Sequence, residues 1–249
     1  MQIRLEYRNL FYKTDLSHAL DISIAVEAGE GHVRAWYLGP ARIEPVRMGD
    51  WVGEVRSGAA VNFRDVYFNP HGHGTHTETL GHISAEDVSV RRHFRDFFCF
   101  AHVVSVLPLR VEADALITLE ALRRACPQPA EALVLRTLPN STGKQTQNYS
   151  NTNPAYLAEE AALWLREQGV KHLLIDTPSV DREEDGGKLL AHHAFWNYPQ
   201  APRTGATITE LVFVPDEISD GLYFMNLQVA AFENDAAPSR PLLFALEED

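Results

Sequence analysis

Two short apolar runs, Ala132 to Leu135 within ALVLRT and Leu173 to Ile175 within VKHLLIDTP, constrain the fold most. Neither alternates apolar with polar residues, as expected of strands buried on both faces. Between them a helix is predicted. Asn153 and Pro154 stand where an N-cap and a first-turn proline belong, Leu157, Ala161, Trp164 and Leu165 follow at helical spacing, and Gly169 is a natural stop. Strand, helix, strand in that order predicts a parallel crossover, and hence an α/β fold. Further strands are predicted near Val103 to Leu107, Leu211 to Val214 and Tyr223 to Ala230, with a capped helix start at Ser84 to Asp87. A chain of 249 residues can bury one large core, so residues 1–249 are expected to form a single domain.

The polar loop from Pro139 to Asn153 has almost no apolar content, and it reads either as a lid or as a mobile surface excursion. With 34 acidic against 22 basic residues the net charge is −12, which opposes binding to phosphate backbones and anionic membranes. No nucleic-acid or membrane partner is expected. The start, MQIRLEYRNLFYKTDL, mixes charged and apolar residues and lacks an apolar run, so a cytoplasmic location is the expectation. Cys99 and Cys126 lack metal-ligand spacing and read as buried fillers, and the acidic tail Glu247 to Asp249 reads as solvated.

Chemistry is concentrated in HGHGTHTETLGH, residues 71–82, which holds four of the eleven histidines. If the chain extends after Gly74 and Thr75, His76 and Glu78 project to the same side as a chelating pair. His71 can fold back across two glycines as a third ligand, and His73 competes for that role. Imidazoles with a carboxylate suit zinc or manganese, and such sites leave a position open for water, whose pKa falls to around 7 on zinc. His82, six residues beyond His76, suits a proton shuttle. The competing explanation is a set of satisfied polar histidines or a flexible Gly-His tract, which is weaker for four histidines and a glutamate flanked by structured segments.

GTHTETLGH resembles the signature of the cyclase-like metal-dependent hydrolases, the group that includes bacterial kynurenine formamidase and isatin hydrolase, whose pattern is roughly His-x-Gly-Thr-His-x-Asp-x-Pro-x-His. Asp15-Leu16-Ser17-His18 is similar to the family's opening, Leu135-Arg136-Thr137 to its central strand, and Ile175-Asp176-Thr177-Pro178-Ser179-Val180-Asp181 to its downstream signature. The resemblance implies a swivelling β/β/α-like α/β domain with a mixed-sheet or barrel-like core and surrounding helices. It implies that His71, His76 and Glu78 carry a first metal, that Glu78 reaches a second, and that His82 is the catalytic acid/base. A downstream histidine and glutamate would complete a site for one or two ions, zinc ahead of manganese. The candidates are His192, with His193 lining the pocket, and Glu210, whose apolar strand context makes an uncoordinated carboxylate costly. A salt bridge from Glu210 to Arg203 is the competing reading, while Asp176 and Asp181 read as structural supports.

The chain departs from the pattern in two places. Gly72 stands where the first histidine belongs, so that role passes to His71 or His73, with His71 favoured because the longer glycine turn preserves chain direction. Glu78 and Leu80 replace the usual aspartate and proline, lengthening the ligand arm by one methylene. The activity implied is hydrolysis of a C–N amide bond by a metal-bound hydroxide, with an arylformamide such as N-formylkynurenine as substrate. A cyclic amide such as isatin is the alternative, followed by a cyclisation or dehydration in secondary metabolism. Trp36, Phe63, Tyr67, Phe195 and Trp196 are candidates to hold an aromatic substrate, although aromatics near motifs more often belong to the core. A homo-oligomer, dimer or tetramer, is also expected. The purified protein should therefore hold a divalent transition metal, and His76→Ala or Glu78→Ala should sharply lower its occupancy. Full metal content in both variants would exclude this site.

Overall fold

The structure, a computed structural model, describes residues 1–249. Eight strands build its central sheet: β1 (Leu20–Asp21), β2 (His76–Glu78), β3 (Phe98–Val106), β4 (Ala132–Thr137), β5 (His172–Ile175), β6 (Thr207–Glu210), β7 (Gly221–Val229) and β8 (Ala236–Ala245). Their order is β7-β3-β4-β5-β6-β2-β8-β1, and β7 also pairs with β8, so seven strands close into a barrel with β1 as an added edge. Strands β3 to β6 run parallel, whereas the pairings through β2, β8 and β7 are antiparallel. The fold is thus α/β with a closed mixed barrel.

Side-chain alternation sorts the barrel into two apolar sets. Val103, Ala132, Val134, Leu174, Met225 and Leu243 share the interior cluster. Leu133, Leu135, Leu173, Ile175 and Ile208 face outward and pack with helix residues Leu122, Ala161, Leu165 and Phe195. Burial on both faces explains the apolar runs Ala132–Leu135 in β4 and Leu173–Ile175 in β5; the six residues of β4 and the four of β5 are all buried, and they pair in parallel register, Ala132 with His172 through Leu135 with Ile175. Cys99 and Cys126 are buried free thiols, as read from the sequence. No helix is long and apolar enough to cross a membrane.

Several local expectations are corrected. The crossover helix spans Glu159–Glu167, later than Asn153 and Pro154 suggested. Asn153 is left-handed at φ 44° and its amide donates to Ala113 O and Asp114 Oδ1, while Tyr156–Leu157 pairs with Leu116–Ile117; tertiary pairing overrides the capping signal. No helix starts at Ser84; a single turn, Val90–His93, is capped by Ser89. Strand β6 ends at Glu210, before the predicted 211–214, because Leu211 turns to φ 54° and donates its N–H to Thr177 O. The acidic tail is solvent-exposed, as read from the sequence, and is in addition held in place: Glu247–Glu248 pairs with Leu10–Asp15, and Asp249 meets Arg4 and Lys13. The polar 139–153 loop is tied down, with Lys144 Nζ 2.7 Å from the buried Asp176 and the N–H groups of Asn151, Thr152 and Asn153 donating to Glu183.

Leu174 is fully buried in the barrel interior, where a truncation leaves a cavity that rigid strands cannot collapse. Leu174→Ala should destabilise the protein by about 2–5 kcal/mol in urea unfolding with an unchanged m-value. A loss below about 1 kcal/mol would mean that this side chain does not fill the barrel.

Candidate metal centre

Three-residue strand β2 fits between β6 and β8, with Glu210 opposite His76 and Ala236 opposite Glu78. All three β2 residues are fully buried. Alternation turns Thr77 the opposite way, where its hydroxyl meets that of Thr209 at 2.7 Å. The glycine turn before β2 has a steric cause: Gly74 is at φ 106°, and a Cβ there would come within 2.9 Å of Ile24 O.

His71 Nδ1 lies 3.1 Å from Glu78 Oε2, and His192 Nε2 lies 3.1 Å from Glu78 Oε1, so the glutamate stands between two imidazoles from distant segments. His76 Nε2 lies 3.3 Å from Glu210 Oε2, whose other oxygen accepts the N–H of Val180. His82 Nδ1 lies 3.8 Å from Glu78 Oε2. Asp181 accepts from His192 Nδ1 at 2.5 Å and from the N–H groups of Ala191 and His192, orienting the helix Leu190–Trp196 that carries this histidine.

His73 does not join this group. Its Nδ1 accepts from Asn69 N–H and its Nε2 faces Gly39 O, both ring nitrogens serving the backbone. His193 turns away to Tyr198 O. Arg203 donates to the carbonyls of Phe195 and Val170, leaving no Glu210 salt bridge. Trp36 lies beside the site and its indole N–H donates to His71 O. Phe63 instead sits 55% exposed against Trp51, and Trp196 is fully enclosed with its N–H on Ala206 O. Phe195 is likewise fully buried, and Tyr67 lies on an exposed strand pairing with Arg42. The contact with Asp235, whose Oδ2 lies 2.9 Å from His71 Nε2 and 3.3 Å from His82 Nδ1, was not read from the sequence. Nothing in Asn234-Asp235-Ala236 signals it, because strand β8 alone brings it beside β2.

Electrostatics tie the group together. Burial opposes charge on His71, but Asp235 and Glu78 outweigh it and push its pKa up to about 10. His192 is pushed up to about 10 in the same way, against burial, by Asp181 and Glu78. Burial also opposes ionisation of Glu78, yet His82, His192 and His71 hold its carboxyl well below the usual range. His76 Nε2 and Glu78 Oε2 are buried atoms that no hydrogen bond satisfies. Such orphaned nitrogen and oxygen donors, facing carboxylates and imidazoles, fit a divalent cation. Three sets of potential ligand atoms converge: His71, His76 and Glu78; Glu78, His82 and His192; and His71, His82 and Asp235.

A family model described as "Putative cyclase" matches residues 14–182, and the chain belongs to that family. Kynurenine formamidase from Bacillus cytotoxicus is 29% identical over 185 residues, covering 74% of this chain and 80% of that protein. Among solved structures, a protein from Bacillus stearothermophilus described as a predicted metal-dependent hydrolase aligns with TM-score 0.64 and 18% identity, covering 91% of this chain and 98% of the other. Isatin hydrolase A from Labrenzia aggregata, bound to benzyl benzoate, aligns with TM-score 0.65 and 15% identity, covering 92% and 94%.

A cation at this site must displace the protons of His71 and His192. Because both folded pKa values exceed the unfolded imidazole value of ~6.5, protonation stabilises the metal-free protein fully below ~6.5 and is lost as pH rises through about 10. Zinc uptake at pH 8 should therefore release protons, and affinity should rise with pH towards 10. Calorimetry in buffers of different ionisation enthalpy checks this; binding without proton release would contradict it.

Proposed function

We propose that the chain is a metal-dependent hydrolase of a C–N amide bond, with arylformamides of the N-formylkynurenine type as its substrate class. The observation that carries the reading is the cluster of His71, His82 and His192 around Glu78, with His76 converging on the same carboxylate and facing Glu210, in a chain similar to a kynurenine formamidase. His71 and His76 with Glu78 would hold one cation, and Glu78 with His192 would hold a second, with Glu210, beside His76, as the further oxygen ligand; zinc is the first candidate and manganese the second. When bound, the ion supplies Lewis acidity and lowers the pKa of a water ligand.

His82 does the proton transfer. It is 32% exposed, its Nδ1 faces Asp235, and its Nε2 makes no hydrogen bond with the protein, which leaves that nitrogen for substrate. It takes a proton from water as the C–O bond forms and delivers it to the amide nitrogen as the C–N bond breaks, so that carboxylate and amine leave. Trp36, whose indole N–H donates to His71 O beside the cluster, is the candidate to flank an aromatic group, and His192 is kept in orientation by Asp181. A cyclic amide would open by the same proton path, with nitrogen retained on the product. A panel of formyl-arylamines and isatin-like lactams separates these two substrate classes.

His82→Asn should leave metal content and melting temperature nearly intact while lowering kcat on a formyl-arylamine roughly 10²- to 10⁴-fold. Loss of metal in step with activity would make His82 a ligand. Wild-type turnover in the variant would remove it from the mechanism.

A further inference from the structure

We infer that Asp235 is a positioning residue for both halves of the site, aligning the ligand His71 and the proton-transfer histidine His82 through one carboxylate oxygen; this rests on the function proposed above. Its Oδ2 is 2.9 Å from His71 Nε2 and 3.3 Å from His82 Nδ1. The two rings lie with centroids 4.4 Å apart and an interplanar angle of 31°. The arrangement has a chemical logic for each ring. An imidazole that binds a cation through Nδ1 must carry its proton on Nε2, and a carboxylate acceptor there fixes that tautomer and raises ligand basicity. On His82 the same oxygen holds the proton on Nδ1, leaving Nε2 as the nitrogen that exchanges protons with substrate.

The backbone is built to keep Asp235 in place. It precedes β8, and its carbonyl accepts both the N–H of Thr79 at 2.9 Å and the Thr79 hydroxyl at 3.1 Å, so the residue next to Glu78 clamps it. The short turn Leu80–His82 reaches Asp235 only because residue 81 is glycine. A Cβ at Gly81 would lie 3.3 Å from Asp235 Cβ and 2.4 Å from Val88 O. The carboxylate is therefore not a surface charge that happens to meet a histidine: two segments far apart in sequence are locked at the point where it touches both rings.

The test compares wild type with Asp235→Ala and with Asp235→Asn, which keeps the shape and removes the charge. Three readouts are taken: zinc affinity by competition with a chromophoric chelator, kcat and KM on a formyl-arylamine, and ¹⁵N histidine spectra of the metal-free protein. Asp235→Ala should lower zinc affinity and kcat each by about 10- to 100-fold with KM nearly unchanged, and should convert His82 from one Nδ1–H tautomer to a mixture. Asp235→Asn should fall between it and wild type. Wild-type zinc affinity with an unaltered His82 tautomer in both variants would overturn the assignment, as would zinc loss that merely tracks a fall in melting temperature. If the wild type turns over no formyl-arylamine, the functional proposal fails, whereas the affinity and tautomer measurements still decide the role of Asp235.

Discussion

The carboxylate of Glu78 is the interaction on which the rest of the structure depends. It is fully buried, and the effective cost of taking such a charge out of water is still several kcal/mol after relaxation. Three imidazoles repay that cost. Each comes from a different part of the architecture: His71 from the glycine turn before β2, His82 from the turn after it, and His192 from the helix Leu190–Trp196. Glu78 also sits in the strand that joins β6 to β8, so the residues that close the barrel are the residues that gather the site. Closure and chemistry are thus coupled through three consecutive positions, His76, Thr77 and Glu78. The two oxygens of Glu78 approach His71 and His192 at the same 3.1 Å.

Around that carboxylate the charges alternate. Asp181 stands behind His192, Asp235 behind His71 and His82, and Glu210 opposite His76. Four carboxylates against four imidazoles leave the group short of positive charge whenever the histidines are neutral. A divalent cation would offset half of this charge, and protons on His71 and His192 offset as much without one, so metal and proton would compete for the same atoms.

The parts that were legible in the sequence share a cause. Strands β4 and β5 declared themselves because burial on both faces leaves the runs Ala132–Leu135 and Leu173–Ile175 without a polar residue, the polar ones standing only at the strand ends. His76 and Glu78 could be paired because alternation on a strand is geometric, and Glu210 stood out because a carboxylate in an apolar run needs a partner. What escaped depends on contacts between distant segments. Asn153 carries the chemistry of a helix cap but is used by Ala113 and Asp114, and Asp235 has no local motif because its partners are more than 150 residues away. Trp196 and Phe195 look like substrate aromatics beside a histidine pair, yet the helix turns them into the core. No spacing rule distinguishes these outcomes, since the helix phase is set by Asp181 receiving the N–H groups of Ala191 and His192.

The claim that Glu78 organises a metal centre is tested most directly by anomalous diffraction from crystals of the metal-loaded protein, recorded above and below the zinc and manganese edges. The account predicts anomalous density enclosed by Glu78, His76 and at least one of His71 and His192, with none elsewhere at comparable strength. Density only at other residues, or a Glu78 carboxylate surrounded by no ion in crystals of protein that carries stoichiometric metal, would contradict it.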